Sequence, residues 1–238
     1  MNKLAGLRSS ISSCELDFLT LVESKYRPPI AFKSKVHLER WMKENNIQAD
    51  QIGRRSLNNV FVARGKIPIW GWGERFYTQV WARLNYRDYR GAIRTRLKMS
   101  NYYDGNPCSH DVDHAVSKTY LAKHWPDAWV NIMFVDKGIN RSIGAMMEKL
   151  LSPPEGCKIL LNAECLLKLF YRRKGCLKSD KVKEYLKEAS ERFLNDASTL
   201  EDFATATAAT IVLNQISNEF EDGFDVRRPK RLGEASDK

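Results

Sequence analysis

The order of secondary-structure signals between residues 111 and 151 constrains the fold more than any other feature. DVDHAV (111–116) is a short run rich in β-formers, and VNIMFVD (130–136) is a second strand candidate. A loop or short helix with Trp125-Pro126 separates them, and a turn at 136–138 leads into INRSIGAMMEKLL, which has the apolar spacing of a helix. Strand, loop, strand and helix in this order predict a ββα unit.

Four polar residues fall at defined places in this unit. Asp113 and His114 lie on the first strand, Asn131 on the second, and Asn140 in the first turn of the helix. Adjacent residues on a regular strand point to opposite faces, so Asp113 and His114 can share one site only where the chain bends.

A structural interpretation explains each of these residues separately. It makes Asp113 and His114 a polar strand end, Asn131 an edge residue and Asn140 a helix N-cap. Asp111 is an alternative to Asp113 as a ligand. His110 and His124, the two other histidines nearby, are expected at the surface.

Residues 111–149 resemble the HNH, or ββα-metal, nuclease motif, in which Asp-His is followed by Asn and then by a second Asn. DVDHAVSKTYL is similar in its opening to the HNH domain of RNA-guided type II CRISPR nucleases. The sequence departs from many members at Asn140, where they carry His, and it lacks the cysteine pairs that often hold zinc. The resemblance implies a metal-dependent endonuclease or nickase that hydrolyses DNA phosphodiester bonds.

The resemblance also implies a role for each polar residue. Asp113 and Asn140 supply hard oxygen ligands, which suit Mg²⁺, with Mn²⁺ able to substitute. His114, with an unperturbed pKa of about 6.5, takes the proton from the attacking water. Asn131 cannot titrate, and it is expected to pin the loop and help to orient the imidazole of His114.

The positive charge is concentrated in the first 100 residues, which hold 19 Lys and Arg against 8 Asp and Glu. This imbalance favours a polyanionic partner, which we take to be DNA, with RNA as the alternative. GAIRTRLKMS (91–100) fits either a strand or a helix, and the helix would align Arg90, Arg94 and Lys98. The residues expected to bind nucleic acid are Arg94, Arg96, Lys98, Lys118, Lys137 and Arg141.

The remaining segments read mainly as helices. SKVHLERWMKEN (34–45) and ERFYTQVWARLN (74–85) have helical spacing, and three further helices are predicted after Ser-Pro-Pro at 152–154. We therefore expect an α+β chain that is mostly α-helical. It would have a basic helical region (1–100), an HNH-like unit (101–152) and a helical region (153–238) that carries no chemistry but can contact a protein partner.

Five cysteines without a C-x-x-C pair indicate reduced thiols and no structural zinc. Because no apolar stretch can span a bilayer and no signal peptide is evident, we expect a cytoplasmic protein. The source of many HNH units suggests a part in bacterial or phage defence. The alternative function is a nucleic-acid-binding or complex-forming subunit whose HNH fold is inactive.

Overall fold

The computed structural model describes residues 28–69, 73–99, 110–147, 153–170, 178, 181–196, 214 and 216. Seven strands form one sheet in which every pairing is antiparallel. The strands are β1 (Pro29–Phe32), β2 (Gln48–Asp50), β3 (Val60–Ile69), β4 (Gly73–Arg83), β5 (His110–His114), β6 (Trp129–Asp136) and β7 (Lys158–Leu160). The described helices are α1 (Lys35–Glu44), α2 (Tyr89–Met99), α3 (Lys118–His124), α4 (Lys137–Met147), α5 (Ala163–Phe170) and α6 (Val182–Asp196).

The sheet curls into a half-barrel, and its strand order is β2-β3-β4-β6-β1-β7, with β5 also paired to β6. The expectation of a mostly helical chain with a small ββα unit is therefore wrong. β5 and β6 do pair, and α4 follows β6 directly, but both strands belong to the large sheet. Strands from all three expected regions take part in that sheet.

The largest local error of the sequence reading is at residues 74–85, which form most of β4 and not a helix. Aromatic and apolar residues at 76, 77, 80, 81 and 84 fit helical spacing, but they also fit a strand that is covered on both faces. Val80 and Ala82 belong to one core cluster and Trp81 to the other, which is the alternation of a strand. Because both faces of this strand are buried, its sequence lacks the alternation of apolar and polar residues that identifies a half-exposed strand.

Other expected elements are present. α1 and α4 lie where helices were predicted, and β5 and β6 where strands were predicted. Residues 89–99 form a helix, which decides the ambiguity of GAIRTRLKMS. In the C-terminal region α5 and α6 are helical, but residues 158–160 form β7, and the third predicted helix (199–220) lies almost wholly outside the described residues.

Two hydrophobic clusters lie on opposite faces of the sheet. The larger cluster contains α2 residues Ala92 and Ile93 against Val62, Val80 and other strand residues. The smaller cluster is aromatic and lies beneath α1, where Trp81 contacts Phe32 and Trp41 at ring-centroid distances of 5.4 and 6.3 Å. Helices therefore cover both faces, which explains why residues 79–82 of β4 and 129–135 of β6 are buried.

No helix among the described residues is long and apolar enough to cross a membrane.

The aromatic cluster predicts a large stability effect at Trp81, which is fully buried. Trp81→Ala leaves a cavity that the surrounding strands cannot close, so we expect a loss of about 3–5 kcal/mol in the free energy of unfolding. The control is Val36→Ala on α1, a side chain that is 62% exposed, for which a change below about 0.5 kcal/mol is expected. Urea denaturation of both variants measures this, and equal midpoints would contradict the packing described for Trp81.

Candidate functional site

The Asp-His pair lies where β5 ends. His114 is the last residue of the strand, the chain bends at 115–116, and the Ala115 amide donates to the Asn131 carbonyl at 2.8 Å. At this bend the two neighbouring side chains approach each other, with His114 Nδ1 3.9 Å from Asp113 Oδ1. The distance exceeds a hydrogen bond, so the interaction between them is electrostatic. The two residues therefore form one site although they follow each other on a strand.

A buried lysine of α5 holds this strand end. Lys168 Nζ donates to Asp113 Oδ2 at 2.9 Å and to the His114 carbonyl at 3.1 Å, and it forms an ion pair with Glu164 Oε1 at 2.8 Å. Two of these oxygens accept hydrogen bonds from the ammonium, whereas Glu164 Oε1 is a close counter-charge without hydrogen-bond geometry among the described residues. Glu164 Oε2 in turn accepts from the Ser117 amide at 3.5 Å. The two charged residues of α5 thus contact the chain on both sides of the bend.

Burial and the charge of the Lys168 ammonium determine the protonation states of this group of side chains, which are Asp113, His114, Glu164 and Lys168. Burial disfavours the charged form of Asp113, but the neighbouring His114 imidazole and Lys168 ammonium outweigh it and hold the pKa of Asp113 well below its usual 3.8. For Lys168, burial is opposed by the carboxylates of Glu164 and Asp113, which raise its pKa above 10.5. Burial raises the pKa of Glu164. Asp113 is therefore a carboxylate and Lys168 an ammonium at neutral pH.

The His114 side chain is enclosed, and the ring of Tyr89 packs against it. Its ring centroid lies 4.5 Å from that of Tyr89 at the start of α2, and its side chain is only 2% exposed. Burial is the main reason that the pKa of His114 lies below 6.5, and Asp113 acts in the opposite direction. Its Nε2 atom has no hydrogen-bond partner among the described residues. The imidazole is therefore held neutral, with one nitrogen facing Asp113 and the other unpaired.

The two asparagines of the predicted site differ in environment. Asn131 is buried in β6 opposite Trp81, and within the described part of the chain its carboxamide atoms have no partner. Its backbone carbonyl, however, binds the amide that follows His114. Asn140 is partly exposed in the first turn of α4, a helix that packs against β5 and β6. Asn131 therefore fixes the bend through its backbone, whereas Asn140 has a side chain that solvent can reach.

The basic residues predicted to bind nucleic acid differ in their exposure. Arg96 is partly buried and donates to Thr78 Oγ1, so it belongs to the packing of α2 on the sheet. Arg94 is exposed, and Arg90, one helical turn earlier, lies 5.0 Å from the Tyr89 ring. The Lys98 side chain is outside the described residues. Lys118 and Arg141 are exposed and Lys137 is partly buried.

Sequence reasoning missed Glu164 and Lys168, because it expected no chemistry in the C-terminal helices. A signal was present. In AECLLKLF (163–170) two opposite charges stand four residues apart in a helix that is otherwise apolar. A helix that is apolar all round is buried, and charges inside it must find partners there. The sequence could not show that the partner is Asp113, which is 55 residues away from Lys168.

The two predicted ligands, Asp113 and Asn140, are oxygen donors of the kind that a hard divalent cation prefers. No group of three or more His, Cys, Asp or Glu side chains able to hold a metal occurs among the described residues. The predicted ligand set needs only one carboxylate and one carboxamide, because Mg²⁺ keeps several waters. Asp113 is ionised and 27% exposed, and Asn140 is partly exposed. Both are oxygen ligands that solvent can reach.

No protein family, curated protein or solved structure matches this chain.

The burial of His114 predicts a pH dependence of stability. Its pKa is lower in the folded protein than the 6.5 of the unfolded chain, so on acidification the unfolded state binds the proton first. The stability that His114 contributes is therefore complete above pH 6.5 and is lost as the pH falls through the folded pKa. Urea unfolding in EDTA between pH 7.5 and 5 should show His114→Gln losing less stability than the wild type.

The matched control is His37→Gln, which removes a partly exposed imidazole that contacts Ser34 on α1. Its curve should run parallel to that of the wild type. If His114→Gln also runs parallel to the wild type, the imidazole is not buried in solution.

Proposed function

We propose that this chain is a metal-dependent endonuclease or nickase of the HNH type, with DNA as substrate and RNA as the alternative. The observation that carries the proposal is the approach of the Asp113 carboxylate and the His114 imidazole at the bent end of β5. Asn140, in the first turn of the helix α4, is the proposed second oxygen ligand.

In the proposed reaction each residue has one task. Asp113 and Asn140 hold Mg²⁺, which would neutralise charge on the scissile phosphate and on the leaving 3′ oxygen when bound. His114 accepts a proton from water at Nε2, its unpaired nitrogen, while Nδ1 faces Asp113. The hydroxide forms a bond to phosphorus and the bond to the 3′ oxygen breaks. Because Tyr89 covers the His114 ring, this step requires the Tyr89 ring to move aside when the substrate binds.

The enclosure of His114 also favours a second candidate function. A ring that is 2% exposed has no direct access to water, and a nucleic-acid-binding or complex-forming subunit with an inactive HNH fold does not need such access. The two functions differ in one measurable outcome, which is the cleavage of DNA in the presence of a divalent metal. The reduced cysteines and the defence context of the HNH resemblance lead us to propose a cytoplasmic enzyme of bacterial or phage origin.

The decisive experiment compares His114→Ala with Asn140→Ala in plasmid cleavage. If His114 is the base, its loss should lower the rate by about 10² to 10⁴, and added metal should not restore it. If Asn140 is a ligand, Asn140→Ala should weaken metal binding and recover in part with more Mg²⁺ or with Mn²⁺. EDTA should abolish cleavage by the wild type.

A matched control for the base is His37→Gln, which should cleave like the wild type. Recovery of His114→Ala with metal, together with an unaffected Asn140→Ala, would mean that the two roles are wrongly assigned. DNA binding without any cleavage by the wild type in Mg²⁺ or Mn²⁺ would favour the inactive subunit.

Binding to the phosphate backbone is expected to use the exposed arginines of α2. Arg90 and Arg94 are one turn apart, and the helix that carries them begins at the residue covering His114. If both contact phosphates, Arg90→Ala with Arg94→Ala should flatten the slope of log affinity against log salt by about two. Fluorescence anisotropy with a labelled duplex at several salt concentrations measures this slope.

Arg40→Ala is the control, because Arg40 is an exposed arginine of α1 on the opposite face of the sheet. It should leave the slope within the error of the wild type. If the α2 variant and the control have an equally small effect, the arginines of α2 are solvent-exposed side chains that do not contact phosphate.

A further inference from the structure

The cation that touches the proposed ligand Asp113 is Lys168, which neither the motif nor the expected helical region assigns. Its ammonium is 1% exposed and lies within 3.1 Å of Asp113 Oδ2, the His114 carbonyl and Glu164 Oε1. A buried ammonium with two hydrogen bonds and two carboxylate counter-charges is held in place, since it would lose these partners if it moved. Lys168 therefore fixes both the carboxylate of Asp113 and the backbone of His114.

We propose that Lys168 is a positioning residue that makes Asp113 a one-oxygen metal ligand, an inference that rests on the proposed function. Asp113 Oδ2 is bonded to the ammonium, so Oδ1, the oxygen nearer to His114, is the one left for a divalent ion. A carboxylate without this partner can turn and bind the ion through both oxygens. Lys168 thus fixes which carboxylate oxygen, and so which position beside His114, is offered to the ion.

Glu164 completes the arrangement. Its Oε1 forms an ion pair with Lys168 and its Oε2 accepts from the Ser117 amide just after the bend. Without this second carboxylate the buried ammonium would lose one of its two counter-charges. Glu164 and Lys168, one helical turn apart on α5, therefore hold Asp113, His114 and Ser117 in one geometry.

The consequence is that removing the ammonium should strengthen metal binding while slowing the reaction. The test variant is Lys168→Met combined with Glu164→Gln, which removes both buried charges of α5 and leaves Asp113, which is 27% exposed, as the remaining carboxylate. We expect its Mn²⁺ affinity to rise by about tenfold, because a positive charge next to the ion and a competitor for Oδ2 are both gone. At saturating Mn²⁺, kcat should fall by about 10- to 100-fold, with the DNA Kd unchanged.

Mn²⁺ affinity is measured on the full chain without DNA, by electron paramagnetic resonance of free Mn²⁺. The control is Lys187→Met with Glu191→Gln, which removes an exposed lysine–glutamate pair at 3.8 Å on α6. It has the same change in charge, and both its Mn²⁺ affinity and its kcat should match the wild type. A residue that only supports folding would lower or leave unchanged the metal affinity, and would not raise it.

The possible outcomes distinguish a failure of the proposed function from a failure of the role proposed for Lys168. If Asp113→Asn leaves Mn²⁺ binding and cleavage intact, the proposed function itself fails. If Asp113→Asn abolishes both but the Lys168 double variant equals the wild type, only the role of Lys168 is overturned. Thermal unfolding checks that each variant is folded, and Lys168→Met alone serves as the second variant. Failure of both Lys168 variants to fold would make the ammonium a folding element and overturn the positioning role.

Discussion

The geometry of this protein depends on which strands pair with each of the two edges of β6. One edge pairs with β4 over residues 129–132, whereas the other pairs first with β1 at Trp129 and Val130 and then with β5 from Ile132 onward. Two strands that occupy the same edge cannot overlap, so β5 must leave the sheet where β1 begins. That point is His114. The bend that brings Asp113 and His114 together is therefore a consequence of the sheet topology, and the hydrogen bond from Ala115 to Asn131 marks its last rung.

Where β5 leaves the sheet, the largely buried carboxylate of Asp113 needs a counter-charge, and α5 supplies it. Asp113 is three-quarters buried, and an isolated carboxylate there would lose much of its hydration. Lys168 supplies the opposite charge, yet it too is buried, and a lone pair of buried ions gains little after desolvation. The His114 carbonyl, which accepts a second hydrogen bond, and Glu164, which adds a second counter-charge, make the arrangement favourable. The low pKa of Asp113 and the placement of α5 thus have one common cause, the ion pair between Asp113 and Lys168.

Sequence reasoning located the parts of the site that are local and failed for the parts that are not. β5, β6 and α4 carry clear periodicity, and Asp113, His114, Asn131 and Asn140 lie on the elements expected. The strand β4 was misread because both of its faces are buried, which removes the alternation on which strand prediction depends. Lys168 was missed because its partner is distant in sequence, and no spacing rule connects a helix of the C-terminal region to the end of β5.

The two sides of the site are controlled by different elements, and this division bears on how a nuclease could work here. Asp113 is held by α5 through Lys168, in an ion pair whose ammonium is buried. His114 is covered by α2 through Tyr89, a packing contact, and Nε2 has no hydrogen bond within the described part of the chain. An aromatic contact is weaker than a hydrogen-bonded buried ion pair, so the cover over the proposed base would be easier to displace than the support of the proposed metal ligand. Because α2 also carries the exposed Arg90 and Arg94, the proposed phosphate binding would act on the same helix that covers His114. A substrate that pulls on α2 would uncover the base and leave Asp113 in place, so cleavage would depend on bound nucleic acid.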